Sequence, residues 1–302
     1  MELRVLKYFL TVAQESSITK AAEILHITQP TLSRQLMQLE NELGVSLMVR
    51  TNREILLTEE GILFEQRAKE ILELSDRAER EIRHHKTSFG GTVSIGTAGV
   101  LPSSYIGRMI RAFRDHYPEN EFYLYTSCAD NIRERIDKGL TSVGLFAEQV
   151  ESGKYSYVPL QEPWQWHLLV PKTDQIATRG SVSIKELDGL PLIVPKRVIV
   201  PLPHDDLLSF LYDHDIPISG SYNLNTNAQT LVRDGVGYAL ALYSKSCWLS
   251  QELKAIPIEP QQPIHAVLAW SRRRPLNPSS KLFIRTILEE FGEAGALDFE
   301  AL

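Results

Sequence analysis

Between Glu23 and Glu40 the chain carries no carboxylate, and Thr28, Gln29, Thr31, Ser33, Arg34 and Gln38 fall inside that window. Hydroxyl, carboxamide and guanidinium groups of this kind hydrogen-bond to phosphate oxygens and to base edges in a nucleic-acid groove. An acid among them would repel the phosphates. No comparable set for catalysis is present: the sequence lacks H-E-x-x-H, G-x-S-x-G, a P-loop and C-x-x-C. The eight histidines are scattered, so no enzyme, cofactor or metal is expected.

The polar window needs a scaffold, and the flanking residues supply one. Ser17 is a candidate N-cap, and Ala21, Ala22 and Leu25 form a small apolar face behind it. His26-Ile27 makes a turn. Thr28 caps a second helix whose first turn holds Pro30, where a missing N–H costs little. Leu32, Leu36 and Leu39 recur at helical spacing and face inward, which turns Thr31, Ser33, Arg34, Gln35 and Gln38 outward. Ser46–Arg50 and Glu54–Leu57 read as a hairpin around Thr51-Asn52, placing Arg50 and Arg53 along a flanking backbone or minor groove. Together these elements have the layout of a winged helix-turn-helix. Bulk charge does not decide the matter: residues 1–58 carry six basic and six acidic side chains, a net of zero. An ordinary three-helix bundle with a polar surface fits the same patterning.

Thr58 can cap a long helix to about Lys86, with Glu59 and Glu60 complementing its positive end. Phe64, Ala68, Ile71, Ser75, Ala78, Ile82 and His85 are spaced 4-3-4-3-4-3, a heptad seam suited to a second helix. Glu65–Lys69, Glu73–Arg77, Asp76–Arg80 and Glu79–Arg83 are favourable i, i+4 pairs on other faces. The alternative is a helix packed on its own domain.

Phe89-Gly90-Gly91 interrupts the helical pattern. Beyond it, Thr92–Gly96, Glu121–Ser127 and Ser142–Phe146 read as strands separated by helices over Ser103–His116 and Asp130–Lys138, a βαβαβ series with a parallel sheet. A second series has strands at Trp166–Val170, Leu192–Val194, Tyr222–Asn225 and Tyr238–Leu242. Its helices lie near Ser183–Leu187, Asp205–Asp213 and Asn227–Asp234, and Ile264–Trp270 and Ser279–Phe291 complete the chain. Ligands in such sheets bind outside the carboxyl ends of strands. Those ends are Thr97–Leu101, Ser127–Asp130, Lys196–Pro201 and Asn225–Asn227.

A length of 302 residues accommodates two or three domains, and a net charge of −6 requires any nucleic-acid affinity to come from a local surface. No apolar run approaches the roughly 20 residues that span a bilayer. No leader pattern opens the chain and only Cys128 and Cys247 occur, without paired spacing, so the cytoplasm is the expected compartment and no membrane the expected partner.

The string AAEILHITQPTLSRQLMQLENELGVSLMVRTNREILLTEEG resembles the N-terminal signature of LysR-type transcriptional regulators, with a match from Leu6 to Gly61. Thr28 stands for the commoner Ser, Leu36 for Ile, and Met48-Val49-Arg50 for Phe-x-Arg. The resemblance implies an α/β architecture of three parts. Residues 1–58 would be a winged helix-turn-helix, with DNA contacts from Thr28, Gln29, Pro30, Thr31, Ser33, Arg34, Gln38, Arg50 and Arg53. Residues 59–89 would be a linker helix dimerising through Phe64, Ala68, Ile71, Ser75, Ala78 and Ile82. Residues 90–302 would be a two-lobed effector domain like periplasmic solute-binding proteins, lobe one being 91–161 plus 268–302 and lobe two 162–267.

A small-molecule effector would sit between the lobes, against Thr97, Ala98, Gly99, Val100, Leu101, Ser127, Cys128, Val200, Pro201, Leu202 and Thr226. Leu140–Phe146 lacks the aspartate that the family commonly carries there. Expected partners are double-stranded DNA bearing an interrupted palindrome, the effector, and further copies of the chain as a dimer and then a tetramer. Two other readings stay open: a DNA-binding regulator without effector, and an α/β small-molecule-binding protein with a vestigial N-terminal module. The last gives no reason for the acid-free window.

Overall fold

Val5, Leu6, Phe9 and Val12 line one face of helix α1 (Leu3–Glu15), the spacing that buries a helical stripe. The computed structural model describes residues 1–50, 54–84, 91–99, 103–147, 150–196, 207, 211, 216–244, 248–260 and 263–292. They fall into two units, Met1–Lys86 and Thr87–Leu302.

In the first unit α1 ends at Ser16 in the left-handed conformation, φ 51°. Helix α2 (Ile18–Ile24) follows, with the Ser17 hydroxyl accepting from the Lys20 amide. His26, at φ 54°, makes the turn into α3 (Gln29–Leu43), which the Thr28 hydroxyl caps and which carries a proline in its first turn. Strands β1 (Met48–Arg50) and β2 (Ile55–Leu57) pair antiparallel, Met48 opposite Leu57. The first strand starts two residues later than its composition predicts, because Ser46 and the Leu47 and Met48 amides turn to Glu40 of α3. Thr58 donates to the Ser46 carbonyl at 2.8 Å and accepts from the Gly61 amide at 2.9 Å, opening α4 (Glu59–His84). A Cβ on Gly61 would strike the Leu47 carbonyl, so glycine permits the wing to sit against α4. Phe64 of α4 meets Phe9 edge-on at 5.0 Å, and Ala68 is fully buried.

Among the described residues the second unit is built on one ten-stranded curled sheet. Eight strands follow one another across it: β4 (Glu121–Ser127), β3 (Thr92–Ala98), β5 (Val143–Phe146), β12 (Ile264–Ser271), β6 (Tyr155–Pro171), β10 (Tyr238–Tyr243), β8 (Leu192–Pro195) and β9 (Ile218–Tyr222). The other two lie off this path, β11 (Leu253–Glu259) pairing with β6 and β7 (Val182–Ser183) with β11. The first lobe holds β3, β4 and β5, all parallel. Helices α5 (Ser103–His116) and α6 (Ala129–Lys138) make the crossovers. The second lobe holds β8 (Leu192–Pro195), β9 (Ile218–Tyr222) and β10 (Tyr238–Tyr243), again parallel, with helix α7 (Asn225–Arg233) on one face.

Strand β6 (Tyr155–Pro171) runs unbroken from one lobe into the other. Its first part pairs antiparallel with β12 (Ile264–Ser271) and its second part with β10 and β11 (Leu253–Glu259). Each lobe has its own core: Val93, Ile95, Met109, Phe113 and, from α8 (Pro278–Phe291), Phe283 in the first; Leu168, Val170, Leu192, Val194 and Leu240 in the second.

Several elements differ from the sequence expectation. The strand expected at Tyr222–Asn225 lies at Ile218–Tyr222, because Asn225 already opens the following helix, and the strand expected at Trp166–Val170 begins at Tyr155, where it pairs with β12. Strand β11, with the two-residue β7 (Val182–Ser183) beside it, was not expected. Ser183–Leu187 forms a single 3-10 turn at Ile184–Leu187, closed by a capping box between Ser183 and Glu186, instead of an α-helix. Helix α7 starts at Asn225, two residues earlier than expected. Of the helix expected at Asp205–Asp213, only Leu207 and Leu211 are described, and both are buried.

Candidate nucleic-acid interface and ligand cleft

Helix α3 sorts its side chains as the spacing predicts. Leu32, Leu36 and Leu39 are buried, while Thr28, Gln29, Pro30, Thr31, Arg34 and Gln38 are exposed and Ser33 is half-buried. The Thr28 and Thr31 hydroxyls lie 2.8 Å apart. Arg34 makes no ion pair with any described residue, so its guanidinium is available to an outside acceptor. Gln38 donates to Glu42 at 3.2 Å, and Glu42 also meets the N-terminal ammonium at 3.2 Å. The acid-free window ends at Glu40, and Gln38, at its edge, is already tied to Glu42 one turn further on. Arg53 and the side chain of Arg50 lie outside the described residues.

Along α4, Phe64 and Ala68 turn into the core of their own unit, a correction to the expectation that they meet a second copy. Ile71 is 38% and Ile82 70% exposed; Ala78 is exposed and Ser75 half-buried. Of the residues expected along the seam, Ile71, Ser75, Ala78 and Ile82 are the described ones left outside that core. His85 lies outside the described residues.

In the second unit Thr97 and Ala98 are buried inside β3, so their side chains do not line an open cleft. Gly99, next in the chain, donates its amide to the Ser127 carbonyl at 2.8 Å and accepts at its own carbonyl from the Asn225 amide at 2.9 Å. Its backbone is therefore already engaged. Ser127 is half-buried, its hydroxyl accepting from Asn131 at 3.0 Å. Cys128, a free thiol, is exposed. Thr226 is exposed on α7 and its carbonyl accepts from the Thr230 hydroxyl. Val100, Leu101, Val200, Pro201 and Leu202 lie outside the described residues, as does Cys247.

Sequence reasoning missed two features. Glu162, where β6 passes between lobes, pairs with Arg108 of α5 and accepts from the Ser244 hydroxyl just after β10. Arg108 lies over the Tyr105 ring at 5.1 Å, and Tyr105 meets the buried Trp164 edge-on at 5.4 Å. Burial first, and the Glu162 charge second, push the Tyr105 phenol up to about 12. One carboxylate thus touches both lobes at their crossing. The second feature is a cavity of about 500 Å³ in the second lobe, lined by residues including Lys196, Ser221, Asn223, Asn227 and Thr230. Both are assembled from distant segments, and no local signal marks them. Among the described residues no side-chain cluster could hold a metal ion, and no helix is long and apolar enough to cross a membrane.

Comparison with known proteins agrees with both units. The profile described as bacterial regulatory helix-turn-helix protein, lysR family, matches residues 3–62, and the LysR substrate binding domain matches residues 86–292. The chain is 28% identical over 297 residues to the uncharacterized HTH-type transcriptional regulator YybE of Bacillus subtilis (strain 168), covering 97% of this chain and 100% of that one. Among solved structures it resembles CbnR, a LysR family transcriptional regulator, with a TM-score of 0.79 at 22% identity, covering 99% of this chain and 100% of that one. Full-length CbnR complexed with its target DNA gives 0.77 at 23% identity, covering 96% and 99%. The capped, outward-facing α3 and the two-lobed sheet are thus the two halves of one known design: the chain belongs to the LysR family of bacterial transcriptional regulators.

Proposed function

We propose that two copies of the chain, joined along α4, read an interrupted palindrome, each inserting α3 into the major groove. The observation that carries this reading is the α3 face: Gln29, Thr31 and Arg34 project from a doubly anchored helix, with no acid between Glu23 and Glu40. Half-sites then lie about one duplex turn, or a multiple of it, apart. Pairs of dimers extend the contact, and the wing arginines Arg50 and Arg53 add backbone or minor-groove contacts. The protein is a regulator and not an enzyme, and it acts in the cytoplasm.

An effector binds between the lobes of the second domain, near Ser127, Cys128, Thr226 and the segments around Val100-Leu101 and Val200–Leu202. Binding works as a switch because the effector holds one degree of lobe closure more tightly than another. Glu162, in contact with both lobes, supports a hinge at this crossing. The test is selection of random duplexes on the full-length protein, followed by footprinting. Enrichment of a paired inverted motif is expected, and recovery of unpaired or random sequences would reject the reading. A thermal-shift screen of metabolites, with and without the selected duplex, then tests the effector. A regulator without effector would show no shift with any compound.

A further inference from the structure

Helix α7 begins without a cap of its own. Leu224 stands at the N-cap position, and no side chain accepts from the helix start. The first amides of a helix have no partner within it and need an acceptor from elsewhere. For Asn225 that acceptor is the carbonyl of Gly99, at 2.9 Å, from the end of β3 in the other lobe. The acceptor is itself anchored, because the Gly99 amide donates to the Ser127 carbonyl of β4 at 2.8 Å. The position tolerates only a glycine at this spacing: a Cβ would strike Leu224 Cδ2 and come within 2.7 Å of the Asn223 carbonyl. The Asn225 side chain does not explain the contact, since its buried Oδ1 has no hydrogen-bond partner among the described residues.

We propose that Gly99 caps α7 across the lobe seam, so that the first turn of this helix is fully ordered only while the lobes are closed. Gly99 is then a positioning residue: it converts lobe closure into order at the start of α7. The same helix supplies Asn227, Thr230 and Leu231 to the wall of the 500 Å³ cavity, so opening of the seam loosens that wall as well. The inference goes beyond the effector reading and stands without any effector.

Hydrogen–deuterium exchange on the full-length protein tests it, with no ligand added. Gly99→Ala wedges the seam, and amides of Thr226–Thr230 should exchange roughly five- to tenfold faster, the loss expected of a missing cap. Helices α5 and α6 of the first lobe should keep their rates. Asn225→Pro removes the orphaned donor, because proline lacks an N–H and suits the first helical position. The double variant keeps the wedge but has no donor to satisfy, and should return α7 to within about twofold of the native rate. Unchanged exchange in Gly99→Ala, or equally fast exchange in the double variant, overturns the proposal. Should Gly99→Ala fail to fold, the native protein decides: the Asn225 amide, which donates across the seam, and the first-turn amides that follow it should exchange at matching rates, opening together, whereas an Asn225 amide that exchanges at least tenfold faster than a protected first turn overturns the proposal.

Discussion

Glu40 Oε1 accepts from the backbone amide of Leu47 at 2.7 Å, and from that of Met48 at 3.1 Å. The first acid of α3 thereby fixes the start of the wing. A carboxylate accepting backbone N–H groups makes stronger hydrogen bonds than a neutral acceptor, and Leu47 is buried. Glu40→Ala leaves that amide without its acceptor and should cost about 1–3 kcal/mol. Chemical unfolding followed by circular dichroism measures it. Glu40→Gln keeps one acceptor oxygen and should lose less; an equal loss in both would point to charge instead of geometry.

Arg34 is exposed on α3 and unpaired among the described residues. If it makes a bidentate base contact, Arg34→Ala should weaken operator binding by about 1–3 kcal/mol and relax preference at one base pair. Titration at a fixed salt concentration checks this. A uniform loss over all sequences would reassign the residue to phosphate.

Ile71 and Ile82 leave apolar surface on α4 uncovered in a single chain. Their joint replacement by aspartate should give monomers in light scattering. Binding to a paired operator should then fall by on the order of 100-fold, the avidity contributed by a second linked reader. A persistent dimer would place the interface elsewhere.

His167 of β6 is largely buried, and desolvation holds its imidazole below the ordinary 6.5, against a smaller opposing effect of its contact with the Gln165 carbonyl. The folded state therefore favours the neutral ring. Its contribution is complete above pH 6.5 and is lost as pH falls below that value through the lowered folded pKa. Urea midpoints should drop on that side, and His167→Phe should flatten the dependence. An unchanged slope would assign it to another group.

The local parts of this fold were legible and the distant ones were not. Ser17 and Thr28 each cap a helix through an amide three residues on, a relationship that adjacent residues disclose. Pro159 and Pro163 hid the first half of β6, and Pro257 hid β11, because proline argues against a strand interior. The β6 prolines lie where β12 breaks register, between His265 and Val267. The 4-3 stripe of α4 was visible, yet the pattern does not say what covers it: Phe64 and Ala68 meet their own domain. Similarly, nothing near Leu224 announces that the acceptor starting α7 comes from Gly99. At the candidate DNA face the exposed set was readable because helical periodicity alone decides it. The cleft was not, since the burial of Thr97 and Ala98 depends on the whole sheet.

Strand β6 carries one further consequence. Val158, Leu160 and Trp164 enter the first lobe's core, and Leu168 and Val170 enter the second's. All five share the same numerical parity, so a single alternation of side chains serves both lobes. Inserting or deleting one residue between Leu160 and Leu168 would invert the inward and outward faces of one lobe relative to the other. Changes in chain length along this strand are therefore tolerable only in pairs.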